Sequence, residues 1–380
     1  AVCASSDAKP RHRSRASLIP ARSMASDYAA TLKKVAEQLR SAKKVMVLSG
    51  AGMSTAAGIP DFRSPGGLYG TSETLLERFT YIGDEKSKQW QKRMLRADVK
   101  AALTLEFFRK NPLPYHEMRR GFILGLGRDQ WKLSIGHVFP QILAANGKLH
   151  MLASQNIDGL DHKVIQDKSK LYNPHGLMSA LVSEPLQPGQ RGGLSDIALC
   201  LDTTAPVYQK YVELVAKNTK DIYADRPHRK GKSSHLWPAP AESTPITLAM
   251  LGDVLPSKFH AARDTEAKLG EHSVKPGSVL FDRTLWTQNA NYESCDAFSS
   301  VSGCDMVFVM GTSLSGLTID YVAHEADCPR VVFDMSTAPK VSISRMSEWR
   351  DQDSLLQNAI DASILDLLVE LGWLEQIFED

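Results

Sequence analysis

The chain has 380 residues, enough for one large domain or two smaller ones with a substantial core. Lysine and arginine (45) nearly balance aspartate and glutamate (43), so bulk charge gives no argument for nucleic acid or a membrane surface. Five scattered cysteines (Cys3, Cys200, Cys295, Cys304 and Cys328) argue against a disulfide framework, and no apolar run reaches the ~20 residues of a membrane helix.

Residues 1–27 form a basic stretch. Lys9, Arg11, Arg13, Arg15 and Arg22 stand among small residues against few acids. The composition resembles the remnant of an organellar transit segment, which predicts a mitochondrial or other organelle interior. A disordered basic tail is the alternative, with cytoplasm or nucleus as the location. Next, Tyr28, Leu32, Val35 and Leu39 recur at helical spacing, and Val45 to Leu48 reads as a buried strand. A helix is expected over 100–110, stopping at Asn111-Pro112. Tyr115 and Arg119 are expected on a helix surface. "GHVFPQILAANGK" predicts a helix before the strand "LHMLASQN".

Periodicity weakens between Leu177 and Val274, although "YQKYVELVAKNTKDIY" predicts a helix, and "DRPHRKGKSSH" reads as a solvated loop. Strands return at Met306–Met310 and in "RVVFDMS". In the closing segment Leu355, Ile360, Ile364, Leu367 and Leu371 fall at helical intervals. Helices alternating with short apolar strands predict an α/β fold: a Rossmann-like parallel sheet with helices on both faces, plus a second, smaller remodelled module. Functional groups should then gather beyond the carboxyl ends of the strands.

Four such ends carry suitable chemistry. Gly50 and Gly52 after Leu48 satisfy two positions of a dinucleotide loop, with Thr55 where a third glycine would stand; an ordinary tight turn is the alternative. Ser54 lies where a following helix offers free N–H groups. Gly311-Thr312-Ser313 offers further amides and hydroxyls. Asp334 suits ribose hydroxyls or a turn cap. Gln155-Asn156-Ile157-Asp158 suits a carboxamide and a ribose, or an Asx turn. His175 suits a general base, with an ordinary pKa near 6.5. No paired cysteine spacing exists, and Cys200, His228 and His235 make no recognised metal motif.

The run "GAGMSTAAGIPDFRSPGGLY", followed in order by "SQNIDGLDH", His175-Gly176, "MGTSL" and "LLVELGW", resembles the sirtuin family of NAD-dependent protein deacylases. The resemblance spans roughly Leu32 to Trp373 and largely omits Leu177 to Glu271. It implies that Gly50, Ala51, Gly52 and Ser54 wrap the NAD pyrophosphate. Ile59, Asp61 and Phe62 would line the nicotinamide pocket, and Arg63 would brace the cofactor loop. Gln155 and Asn156 would contact ribose, and Ile157 and Asp158 the carboxamide. His175 would be the catalytic base, with Asn156 assisting. Gly311, Thr312 and Ser313 would face phosphate or adenosine ribose, Asp334 would replace a usual asparagine, and Gln352 would lie beside adenine. The implied reaction transfers an acyl group from lysine to ADP-ribose and releases nicotinamide.

Two departures from the family pattern stand out. Its two zinc-binding Cys-x-x-Cys pairs are missing, so no structural zinc is predicted. In "VKPGSVLFDR", Asp282 and Arg283 replace the glycine and glutamate of the substrate strand. The sequence therefore predicts an NAD-binding domain from residues 28–176 and 274–380 and an inserted module at 177–273. The expected substrate is an acyl-lysine protein or peptide. A weakly active or inert subunit of a larger organellar complex, with partners on 177–273 or the C-terminal helix, is one alternative. An NAD hydrolase or mono-ADP-ribosyltransferase is another.

Overall fold

The computed structural model describes residues 24–59, 73–185, 198–224, 238–256, 269–280, 303–314, 319–335, 346 and 348–378. Helix α1 (Met24–Ser41) leads into strand β1 (Val45–Ser49) and a single turn, α2 (Ala51–Ser54). Four helices follow: α3 (Glu73–Leu76), α4 (Glu85–Ala97), α5 (Leu105–Lys110) and α6 (Leu113–Gly127). Then come α7 (Ile135–Ala145), β2 (Leu149–Ser154), α8 (Leu160–Val164) and β3 (Leu171–Tyr172). Strands β4 (Leu181–Pro185) and β5 (Ala198–Cys200), helix α9 (Pro206–Asn218) and β6 (His272–Pro276) precede the return to the main sheet. That return comprises β7 (Met306–Met310), α10 (Ile319–Glu325), β8 (Arg330–Phe333), β9 (Ser354–Leu356) and α11 (Ile360–Leu371).

Six strands pair in parallel in the order β3-β2-β1-β7-β8-β9. This is the doubly wound order in which the chain leaves the centre in two directions, and it makes a crevice between the ends of β1 and β7. Side chains alternate along each strand and split the sheet into two apolar faces. Val45, Val47, Phe308 and Phe333 meet α1, α7 and α11 through Leu39, Phe139, Leu143 and Leu367. Met46, Leu48, Val307 and Val309 meet α10 through Val322 and Ala323. The parallel sheet with helices on both faces agrees with the sequence reading.

A second sheet, order β5-β4-β6, is antiparallel. It shares an apolar cluster with α6 and α9, in which Phe122, Ile123 and Trp131 meet Tyr208, Tyr211 and Val215. β6 runs across the expected boundary at 273/274.

Three local expectations change. Residues 100–110 divide into a 3-10 turn (Val99–Leu103) and α5, because Thr104 starts a new helix by accepting from the Phe107 amide. Leu355 belongs to the edge strand β9 rather than to the closing helix. Tyr115 and Arg119 do not lie on a helix surface: α6 is buried along its length except at Gly121 and Gly127, and these two side chains are 1% and 6% exposed. The polar residues of α6 suggest a solvated face, but they find partners inside. Glu117 accepts from Thr80 and Ser243. Arg120 donates to the carbonyls of Thr219 (2.9 Å), Ala216 (3.1 Å) and Pro238 (3.2 Å), so its charge meets the carbonyl end of α9.

Candidate functional site

The ends of β1 and β7 interlock. The Gly50 amide donates to the Met310 carbonyl at 3.0 Å and the Gly52 amide to the Gly311 carbonyl at 2.9 Å. A Cβ on Gly52 would stand 2.7 Å from Gly311 Cα, and one on Gly311 would stand 2.6 Å from the Met53 nitrogen. Gly311 also has φ +59°, a left-handed conformation that favours glycine. These glycines join two turns at the switch point of the sheet. The amides of Gly50 and Gly52 are spent on that junction, which leaves the Ala51 N–H at the start of α2, a position with no intrahelical acceptor.

β2 delivers Gln155 to Asp158 to the same place. Asn156 is 3% exposed and donates from Nδ2 to the Gly50 carbonyl (3.0 Å) and to Ser54 Oγ (3.1 Å). Both amide hydrogens are then used, and Oδ1 remains as an acceptor. Ser54 donates to Asp158 Oδ2 at 2.7 Å, and the Leu160 amide donates to Asp158 Oδ1 at 2.9 Å. Thr312 donates to Gln155 Oε1 at 2.7 Å, tying the β2 exit to the β7 exit.

Behind this row stands a histidine that the sequence reading passed over. His137 Nε2 lies 3.2 Å from Ser54 Oγ, and the Ser134 backbone amide donates to Nδ1 at 3.2 Å. That bond makes Nδ1 the acceptor and Nε2 the N–H donor. Ser54 thus accepts from His137 and Asn156 and donates to Asp158, a full set. Burial pushes the His137 pKa down, in keeping with a neutral ring, and the carboxylates of Asp158 and Asp361 oppose that shift. The only sequence signal for this arrangement was Ser134 as a helix cap. Asp161, one turn beyond Asp158 and 1% exposed, has its pKa raised to about 7, first by burial and then by the Asp158 charge.

Ala51, Ser54, Ile59, Phe122, Asn156, Ile157 and Asp158 line a narrow cleft with a free volume of about 10 Å³. Its walls are largely apolar and its polar atoms largely acceptors. Phe122 is a lining residue that no sequence motif marked.

His175 follows β3 and is half-buried. Its Nδ1 lies 2.9 Å from the Gln155 carbonyl oxygen, so Nδ1 carries the proton and Nε2 is the basic atom. The His175 carbonyl accepts from the Val279 amide at 2.9 Å. Gly176 has φ +68°, and a Cβ there would stand 2.2 Å from the Gly277 carbonyl oxygen. The segment leaving β6 therefore runs directly against the histidine turn.

Gly50, Ala51, Gly52, Ser54, Ile59, Gln155, Asn156, Ile157, Asp158, His175, Gly311, Thr312 and Ser313 all occupy the carboxyl edge of the parallel sheet or the turns just beyond it. Asp334 follows β8 at the same edge, and its amide donates to the Leu356 carbonyl at 3.3 Å. Gln352 does not join them. It precedes β9, and its Nε2 donates to the Asp327 carbonyl ahead of β8 at 3.1 Å. That is the amino edge of the sheet, about one strand length (~13 Å) from the others. Asp61, Phe62 and Arg63, and likewise His228, His235, Asp282 and Arg283, lie outside the described residues. Among the described residues no three His, Cys, Asp or Glu side chains gather as a metal site, and no helix is long and apolar enough to cross a membrane.

No family model matches the chain. Among curated proteins it is 34% identical over 149 residues to the NAD-dependent deacetylase sir2D of Dictyostelium discoideum, covering 39% of this chain and 23% of that protein. It is 32% identical over 350 residues to the NAD-dependent deacetylase sir2A of the same organism, covering 90% of this chain and 52% of that protein. To the NAD-dependent protein deacetylase sirtuin-2 of Danio rerio it is 33% identical over 149 residues, covering 38% and 33%. The chain spans about a quarter to a half of the length of these relatives. A solved structure from work on the mechanism and regulation of Sir2 enzymes matches with a TM-score of 0.53 at 18% identity, over 91% of this chain and 98% of that one. That likeness carries the fold, and the identity to sir2A runs through nearly the whole chain. The chain belongs to the sirtuin family.

Proposed function

We propose that the chain is an NAD-dependent protein-lysine deacylase. The observation that carries this reading is the His175–Gln155 hydrogen bond, which fixes a basic Nε2 beside the cleft lined by Asn156 and Asp158. The named activity of the relatives supports it. NAD fits the donor set: the cleft presents acceptors to a carboxamide and to ribose hydroxyls, and α2 presents an amide to the pyrophosphate. When bound, NAD supplies a ribose–nicotinamide bond whose cleavage activates the sugar carbon toward the acyl group.

The chain's own residues supply position and proton transfer. Asn156 and Asp158, locked by Ser54, orient the sugar and the leaving base. His175 Nε2 takes a proton from a ribose hydroxyl so that its oxygen accepts the acyl group from lysine. Ile59, Phe122 and Ile157 keep water from the activated carbon. The test is nicotinamide release from NAD with and without an acyl-lysine peptide. Release that needs peptide and is lost in His175→Ala supports deacylation. Release that ignores peptide transfers the proposal to NAD hydrolysis or ADP-ribosyl transfer.

A second reading, a retained fold serving a larger assembly, is favoured by Leu365, Val369, Leu374 and Phe378, which are exposed at the closing helix and beyond it. Absence of both NAD binding and nicotinamide release would select it. We further propose that the 177–273 module is held by packing and the Arg120 bonds without zinc, to be checked by metal analysis of the purified protein. Residence in an organelle is proposed on the basic stretch 1–27 alone, whose residues 1–23 lie outside those described; imaging of the tagged chain tests it.

A further inference from the structure

Helix α4 carries an unbalanced charge. Residues 85–100 hold Lys86, Lys88, Lys92, Arg93, Arg96 and Lys100 against Glu85 and Asp98. The whole chain is +2, so the remainder is net negative and α4 is one of its basic stretches. Gln91 and Leu95 turn inward, while Lys92, Arg93 and Arg96 are exposed on the opposite side. Only Lys100, paired with Asp98 at 3.3 Å, has an ion-pair partner among the described residues.

A solvated helix face ordinarily mixes signs at neighbouring positions. Here Lys88–Lys92 and Lys92–Arg96 are like pairs four apart, and Arg93–Arg96 are like charges three apart; each repels and weakens the helix. Gln89, Lys92, Arg93, Arg96 and Ala97 line a shallow, open depression of about 450 Å³. A concave surface with uncompensated positive charge fits an extended, negatively charged chain.

Its position indicates which chain. Leu95 of α4 shares an apolar cluster with Leu280, which directly follows the Val279 amide bonded to the His175 carbonyl. The cationic helix and the segment that abuts the candidate base are therefore built on one apolar core. We propose that this face docks an acidic polypeptide segment flanking the acyl-lysine of the substrate. The inference rests on the deacylase reading for its substrate and on α4 alone for its binding surface.

The test uses two readouts on the whole chain. Fluorescence anisotropy compares an acetyl-lysine peptide with glutamate flanks against the same peptide with glutamine flanks. The glutamate peptide should bind about tenfold tighter at low salt. That advantage should vanish at high salt and in K92E/R93E/R96E, with the milder K92Q/R93Q/R96Q intermediate. In nicotinamide release the advantage should appear in KM, with kcat unchanged, and both triple variants should match the parent on the glutamine peptide. Equal binding of the two peptides would overturn the proposal, as would tighter binding of duplex DNA than of the glutamate peptide. Tighter binding of the glutamate peptide without turnover would retain the docking face and overturn the deacylase reading instead.

Discussion

The two sheets of this molecule are joined to their surroundings by different means. At the parallel sheet, backbone meets backbone: Gly50, Gly52 and Gly311 bring two turns together without intervening side chains. Around the antiparallel sheet, side chains fill and satisfy the space. Arg120 closes the end of α9, Tyr208 donates to the Met178 carbonyl at 2.7 Å, and Glu117 collects Thr80 and Ser243. The first arrangement fixes the atoms at the site proposed for a nucleotide and leaves no room for a Cβ at Gly50, Gly52 or Gly311. The second offers several chemical solutions and suits a module that diverges.

The largest expected effect separates chemistry from scaffold. His175→Ala should lower kcat/KM for peptide-dependent nicotinamide release by about 10²–10⁴-fold, with little change in melting temperature because the ring is half-exposed. A variant that unfolds instead would place His175 among the structural residues.

Next is the interlock itself. Gly311→Ala meets both a left-handed backbone, costing about 1–2 kcal/mol, and a 2.6 Å clash with the Met53 nitrogen. Gly147→Ala has φ +67° and no atom within 4 Å of the new Cβ, so it carries the backbone cost alone. Denaturant titration should show Gly311→Ala clearly the less stable; equal losses would mean that the turns can move apart.

On the other side of the comparison, Arg120→Leu strips partners from carbonyls at the end of α9 and should cost about 1–3 kcal/mol. Hydrogen exchange should quicken in α9 and stay slow in β1 and β7. Exchange rising equally in both sheets would show that they unfold as one.

The smallest effect is a slope. Asp161 holds its proton more tightly when folded, its pKa raised from 3.8 to about 7, so the native state binds more protons than the unfolded chain across that interval. Stability from this group is full below about pH 4 and declines as pH rises toward 7. Asp161→Asn should remove that decline, measured as the difference between the two proteins' stability–pH curves. Parallel curves would mean that Asp161 is ionised in the fold.

The parallel sheet was legible because its signals are local. Val45–Leu48 and Met306–Met310 announce buried strands, and glycines directly after them announce turns that side chains cannot enter. Asn156 and Asp158 were legible as polar groups at a strand exit, whereas His175 stood out only as a histidine of suitable chemistry and through the family resemblance. The interior of α6 was not legible: His116, Glu117, Arg119 and Arg120 look solvated until their partners appear. Arg120 meets Thr219 and Pro238, and His116 meets Val274, across about 100 to 160 residues of chain. Leu355 fitted the helical period of the closing segment by accident of spacing, and pairing with β8 decided otherwise. Gln352 came from the family resemblance alone, and strand direction puts it at the amino edge.

Calorimetric titration with NAD tests the central claim most directly. The account predicts one NAD per chain, with affinity lost in Asn156→Ala, which releases Ser54 and the Gly50 turn, and kept in His175→Ala. Absence of binding to the folded protein, or binding indifferent to Asn156, would contradict it.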